Sequence, residues 1–112
     1  MYSFCVYILA SKKDGVVYTG VTNCLVKRVY EHKHGVNEGF TNSYFVKRLV
    51  YFEEYKYVNE AIAREKCIKR WKREWKDTLI NEKNPEWKDL YFEIGGEEYE
   101  KSMKLFEKRS KK

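Results

Sequence analysis

Cys5-Val6-Tyr7-Ile8-Leu9-Ala10-Ser11-Lys12-Lys13-Asp14-Gly15-Val16-Val17-Tyr18-Thr19-Gly20 is the stretch that decides the fold. Ser3–Leu9 is apolar and β-rich and reads as a strand. Lys12-Lys13-Asp14-Gly15 has turn composition, and Val16–Val21 reads as a second strand that closes a hairpin. With a loop at about residues 10–15, Leu9 pairs with Val16 and Tyr7 lies opposite Tyr18. Directly opposed residues share a face of a sheet. Two phenols therefore stand side by side, close to the helix that follows.

Reading outward, Asn23 is placed to cap a short helix over Leu25–His34, with Gly35 at the position that ends it. Val36–Asn42 is a polar loop containing Gly39, and Tyr44–Tyr55 contains a third, β-branched and aromatic strand. Asn59 is placed to cap a long helix, Glu60–Lys76. A second helical stretch follows around Asp77–Asn81, and Asn84-Pro85 closes it. Trp87–Ile94 is expected to dock on the body. After Gly95-Gly96 comes a charged, amphipathic tail, Glu97–Lys112, expected to be helical and frayed at Lys111-Lys112. The order β-β-α-β-α-α with a hairpin first excludes an all-parallel sheet. It predicts an α/β domain, a small three-stranded and mainly antiparallel sheet flanked by helices, over residues 1–94, with residues 95–112 as a tail.

The 112 residues allow one domain. Hydrophobic residues make up 43% and aromatic residues 17%, enough for a compact core in spite of 36% charged residues. Lys and Arg outnumber Asp and Glu by 23 to 17, and the net charge of +6 points toward a polyanionic partner. The three cysteines, Cys5, Cys24 and Cys67, fit no disulfide framework and suggest a reducing compartment. His32 and His34 do not share a helix face, and no Cys pair has zinc spacing, so a zinc site is not expected. Met1–Ala10 lacks a basic leader segment, and no apolar run spans a bilayer. A cytoplasmic protein without membrane contact is expected.

In the first helix, Arg28 and His32 are four apart and flank the stripe formed by Leu25 and Val29. A guanidinium there suits a phosphate, which it can grip with two parallel hydrogen bonds. The plainer role is a surface pair with Glu31 or Glu38. In the long helix, Val58, Ala61, Ile62, Ile68 and Trp75 define an apolar stripe, with Glu65 in its middle. An inward carboxylate costs several kcal/mol unless it is paired. Its partner is Lys69 at i+4, a neighbouring arginine, or a bound cation such as Mg²⁺, which is often held by one or two protein carboxylates and water. Arg64–Lys76 carries seven Lys or Arg and two Glu, with Trp71 and Trp75 interleaved. Lys69, Arg70, Lys72 and Arg73 are the candidates to track a nucleic-acid backbone. Trp75 is assigned to the core, and Trp71 is open between core and surface.

Together these residues resemble the GIY-YIG nuclease family. Cys5-Val6-Tyr7 matches the first motif with its glycine and isoleucine replaced, and Val17-Tyr18-Thr19-Gly20 matches the second with Thr for the central isoleucine. Arg28 falls ten residues after Tyr18, where the family has its helix arginine, and His32 matches a position filled by His or Tyr. Glu65 matches the family's metal-binding glutamate. With Asn84-Pro85 and Trp87, the match covers roughly residues 2–90. It is similar in particular to small stand-alone bacterial proteins related to the N-terminal endonuclease domain of the repair excinuclease C subunit. Three departures stand out. Val21 occupies the place of a lysine in the excinuclease domain, Cys5 replaces a glycine, and the family's asparagine falls near Asp77, with Asn81 and Asn84 as the asparagines that follow.

The resemblance implies hydrolysis of a DNA phosphodiester with one divalent cation, Mg²⁺ or Mn²⁺, at Glu65. It implies that Tyr7 activates or orients water, Tyr18 positions the phosphate or Tyr7, Arg28 offsets transition-state charge, and His32 shares or relays the proton. No small-molecule cofactor is implied. A chain lacking a second module for reading sequence is expected to recognise DNA shape, in repair or recombination, with room for a protein partner that supplies targeting. Two other classes are distinguishable. A nucleic-acid-binding module that lost turnover binds without metal-dependent cleavage. An interaction domain, with the tyrosines in the core and Glu65 in a local ion pair, shows no effect of metal on thermal stability.

Overall fold

The structure is a computed structural model that describes residues 3–36 and 39–110. Strands β1 (Phe4–Ala10) and β2 (Val17–Thr22) form the expected hairpin, followed by α1 (Leu25–Lys33), a short α2 (Phe40–Ser43) and β3 (Arg48–Tyr55). Helices α3 (Val58–Arg70), α4 (Arg73–Lys83) and α5 (Gly96–Ser110) complete the chain. The sheet has the order β2-β1-β3, with both pairings antiparallel. The β-β-α-β-α-α sequence is thus present, with α2 and α5 added to it.

The central strand explains its own composition. Val6, Ile8 and Ala10 pack with Ala61 and Ile68 of α3 and Ile80 of α4, while Tyr7 and Leu9 pack with Val29 of α1, Val46 and Leu49. A strand covered on both faces is apolar throughout, and every residue from Cys5 to Ala10 is buried. A bulge opposite Ile8 and Leu9 lets Val50 and Tyr51 both join the α3 side.

The hairpin register differs from expectation. Ala10 pairs with Val17, Leu9 with Tyr18 and Tyr7 with Gly20. The loop is Ser11–Val16: Ser11 N donates to Val16 O at 2.9 Å, and Ser11 Oγ accepts from Val16 N at 3.0 Å. These two bonds prolong pairing through Ala10 and move the partner of Tyr7 by two residues. A shift of two preserves the face, so Tyr7 and Tyr18 stay on one side as a diagonal pair.

Other corrections are local. Asn23 does not cap α1; Thr22 Oγ1 accepts from Cys24 N at 3.1 Å and shapes the entry instead. Helix α1 ends as expected, with Val36 N bonded to Glu31 O and Gly35 N to His32 O, and Gly35 in the left-handed region at φ +63°. The loop expected over Val36–Asn42 contains the start of α2. Helix α3 begins at Val58 after an extended Tyr57, without a side-chain cap from Asn59.

The long helix Glu60–Lys76 is two helices. Trp71 and Lys72 are both extended, with ψ 150°. Neither Pro nor Gly marks the break, which follows from tertiary packing. Trp71 turns onto the α3–α4 core, and the Arg64 guanidinium lies 5.0 Å from its ring centroid. Trp75, expected in the core, is 54% exposed as a result. The Trp87–Ile94 segment docks as expected: Trp87 and Tyr91 are buried and Leu90 N donates to Leu49 O at 2.7 Å. Asn84 holds its start, donating to Val50 O and Lys88 O. Helix α5 lies on α1, with Tyr99 edge-on to Tyr30 at 5.2 Å and Glu100 bonded to His34 and Tyr91. The expected fraying at Lys111-Lys112 and the pairing role of Glu38 lie outside the described residues.

Candidate active site

The hairpin and α1 bring three rings together. The Tyr7–Tyr18, Tyr7–His32 and Tyr18–His32 centroid distances are 6.4, 5.9 and 5.6 Å. Tyr7 Oη lies 3.1 Å from His32 Nε2, and His32 Nδ1 lies 3.0 Å from Thr41 Oγ1 of α2. Tyr7 is 2% and His32 5% exposed, so this line of hydrogen bonds runs through the interior. Gly20 makes room for it. A Cβ at that position would stand 2.4 Å from Tyr7 Oη and 2.5 Å from Cζ, so any side chain there must displace the phenol.

Burial, then Tyr18, raises the Tyr7 phenol well above its ordinary value of 10.0, with Arg28 opposing. Burial and then Arg28 lower His32 below its ordinary 6.5, with Glu31 opposing. The pair is therefore a protonated phenol against a neutral imidazole at neutral pH. Neutral histidine has one donor and one acceptor nitrogen, so it can link a hydroxyl on each side.

Arg28 stands at the rim, with its side chain 41% exposed and Nε 3.7 Å from Glu31. The surface pair with Glu31 exists, and so does access. Arg28, Lys27 and Glu31 line an open polar groove with Thr22, Asn23 and Cys24. Helix α3 packs on β1 and β2 and delivers the carboxylate. Glu65 is 15% exposed, flanked on its helix by buried Ala61 and Ile68, and Lys69 Nζ lies 3.3 Å from its Oε2. Lys69 Nζ also lies 5.7 Å from the centre of the Tyr18 ring. The carboxylate is close enough to bias Tyr7 electrostatically. Lys69, expected on a backbone-tracking stripe, thus stands beside Tyr18 and Glu65.

The other basic residues are spread around the α3–α4 elbow. Arg70 borders a shallow hollow with Lys66, Cys67, Trp71 and Trp75, and Lys72 precedes α4. Arg73 is bonded to Asp77 and to Gly15 O of the hairpin loop, tying α4 to β1–β2. The asparagines near the family position have structural partners. Asn81 accepts from Trp87 Nε1 at 2.7 Å, and Asn84 holds Val50 and Lys88. Val21 packs toward the α3 core. Thr41 was not legible as a site residue, because nothing in its spacing from His32 marks it; the helix that carries it is four residues long.

Among the described residues no three His, Cys, Asp or Glu converge as ligands. A cation here would have the Glu65 carboxylate, with Tyr18 and Lys69 beside it and Glu31 at the Arg28 rim. That donor set fits a hard ion such as Mg²⁺ or Mn²⁺, which takes one carboxylate and completes its shell with water and phosphate oxygens. It does not fit a soft or closed structural metal.

A family model described as "GIY-YIG catalytic domain" matches residues 3–81. The chain belongs to the GIY-YIG family. This GIY-YIG chain is similar to a "UPF0213 protein" of Clostridium perfringens, 39% identical over 100 residues, covering 89% of this chain and 97% of that protein. A "UPF0213 protein" of Staphylococcus saprophyticus is 36% identical over 77 residues, covering 69% of this chain and 93% of that one. The solution NMR structure of the UPF0213 protein BH0048 from Bacillus halodurans is 30% identical, with a TM-score of 0.49, covering 78% of this chain and 92% of that one. GIY-YIG domains are nuclease domains, so a nuclease is the coarse reading of this fold. Among the described residues no helix is long and apolar enough to cross a membrane.

Proposed function

We propose that the chain is a metal-dependent DNA endonuclease that reads structure rather than base sequence and serves repair or recombination. The observation that carries this reading is the buried Tyr7–His32–Thr41 line at 3.1 and 3.0 Å. A hydroxyl and an imidazole in line can take a proton from water and pass it inward, which is what a water-activating base has to do.

Neutral His32 with its proton on Nδ1 donates to Thr41 and presents Nε2 to the Tyr7 hydroxyl. As water attacks phosphorus, it passes a proton to Tyr7 Oη, and Tyr7 passes its own to His32 Nε2. The phenol therefore never needs to exist as a free phenolate, which its burial disfavours. Arg28 at the groove rim faces the charge that builds on the phosphoryl oxygens. Tyr18, under Lys69, holds the phosphate against Tyr7. Glu65 would hold the divalent cation, which when bound supplies Lewis-acid stabilisation of the phosphoryl and leaving oxygens.

The test is cleavage of labelled single-stranded, duplex, nicked and branched DNA with Mg²⁺, Mn²⁺ or EDTA, comparing wild type with Glu65→Gln. Nicking in metal that is lost in EDTA and falls at least about a hundredfold in the variant is expected. DNA binding by folded protein without cleavage of any substrate would leave a binding module on a nuclease fold. One strongly preferred base sequence among substrates of equal shape would overturn structure-directed recognition.

A further inference from the structure

Helix α2 has two sides of different character. Inward, Thr41 is buried and meets His32. Outward, Phe40 and Tyr44 are 48% and 56% exposed, with ring centroids 4.8 Å apart, and the adjoining Phe45 is 71% exposed. Core packing does not account for three neighbouring aromatic rings in water. Backbone chemistry does not account for Phe45 either. Helix α2 ends with Val46 N bonded to Thr41 O at 2.8 Å and Phe45 N to Asn42 O at 3.4 Å. This is the closing pattern that α1 completes on Gly35, and its left-handed position belongs to glycine. Here it falls on Phe45, at φ +55°, where a bulky side chain is strained. Strain of this kind collects at functional sites. Lys47 adds charge, with Nζ 5.5 Å from the centre of the Phe45 ring. Buried Thr41 and Val46 anchor the segment that carries the exposed rings, and Thr41 joins it to His32.

We propose that Phe40, Tyr44 and Phe45, with Lys47, form a stacking surface for an unpaired nucleobase of the strand whose phosphate sits at Tyr7 and Arg28. A nucleobase presents a π-face whatever its identity, so such a surface binds single strands without reading sequence, while the lysine meets the backbone. Two like occupants of an aromatic patch, such as a second copy of this basic chain, would bring Lys47 to Lys47; a polyanion satisfies it. This inference rests on the nuclease reading for its catalytic consequence, a preference for substrates with unpaired nucleotides beside the scissile bond.

The experiment uses full-length protein in EDTA and measures fluorescence anisotropy with a labelled oligothymidine and a duplex of equal length. Phe45→Gly removes the ring and relieves the strain. It is expected to melt no lower than wild type, to bind the single strand at least about fivefold more weakly, and to bind duplex unchanged. Tyr44→Ala, at an exposed position free of that strain, supplies the same comparison if Phe45→Gly does not fold. Unchanged single-strand affinity in both variants, with the wild type still cleaving in Mg²⁺, overturns the stacking surface and leaves the nuclease. Weakened single-strand binding with no cleavage by the wild type supports the surface and removes the nuclease. A wild-type dimer that Phe45→Gly dissociates without change in DNA affinity overturns the proposal in favour of an interface between copies.

Discussion

At the scale of single residues, glycine 20 shows how a motif encodes space. Its place opposite Tyr7 leaves 2.4 Å between an added Cβ and the phenol oxygen. Gly20→Ala is therefore expected to displace the Tyr7 hydroxyl from His32 and to lower cleavage about a hundredfold while the circular dichroism stays native. Single-turnover assays check this, and a variant as active as wild type overturns the packing argument. Thr19, beside it, turns to the opposite face, where its buried hydroxyl has no hydrogen-bond partner among the described residues; an apolar side chain suits that position better. The proposed acid-base line predicts a pH profile. Burial and Arg28 lower His32 below 6.5, so it accepts a proton only at lower pH than a free imidazole. Cleavage is expected to be flat near neutrality and to fall as pH drops through a midpoint below 6.5, because protonated His32 cannot take the proton from Tyr7. A midpoint above 6.5 in single-turnover rates would remove His32 as acceptor.

At the scale of elements, a charged network on β3 fastens α3. Glu53 accepts from Tyr55 at 2.7 Å, from Tyr51, and from Arg64 Nη2 at 2.9 Å, and Arg64 in turn stacks on Trp71. Burial alone would raise the Glu53 carboxyl, but the bonds from Arg64, Tyr51 and Tyr55 outweigh it and hold it below 4.5. The unfolded chain binds that proton more readily than the folded one. The contribution to stability is thus complete above about 4.5 and is lost as pH falls through the lower native value. Arg64→Ala is expected to cost about 2 kcal/mol at neutral pH in urea unfolding, much less in acid, since it strands a half-buried carboxylate. Equal losses at both pH values would sink this account. The network matters to the site because α3 carries Glu65 and Lys69.

At the scale of the whole molecule, the segments that follow the family match wrap back onto α1. Trp87 and Tyr91 fill the two cores, and α5 covers Tyr30 and Tyr91. Helix α1 holds Arg28 and His32, so α5 braces the element that positions half of the site. Truncation after Gly95 is expected to lose about 2–4 kcal/mol through the aromatic surface it uncovers. Cleavage should persist below the new melting temperature, because every site residue precedes the cut. An unchanged melting curve would show that α5 does not stabilise the domain.

The sequence by itself determined the order of elements and named most of the residues that gather at the candidate site. Local rules suffice there: β-rich runs around a turn define the hairpin, and the four-residue step joins Arg28 to His32 and Glu65 to Lys69. Face parity also survived an error of two in register, because side chains alternate with period two. Only the tertiary structure decided the rest. The break between α3 and α4 has no Pro or Gly to announce it and exists because Trp71 finds a core to pack on. That break moves Trp75 to the surface and scatters the basic stripe. The Thr41–His32 bond, and the strained Phe45 beside it, depend on where α2 settles against the end of α1. No local propensity encodes such placements, since they arise from contacts between elements that meet only in the folded chain.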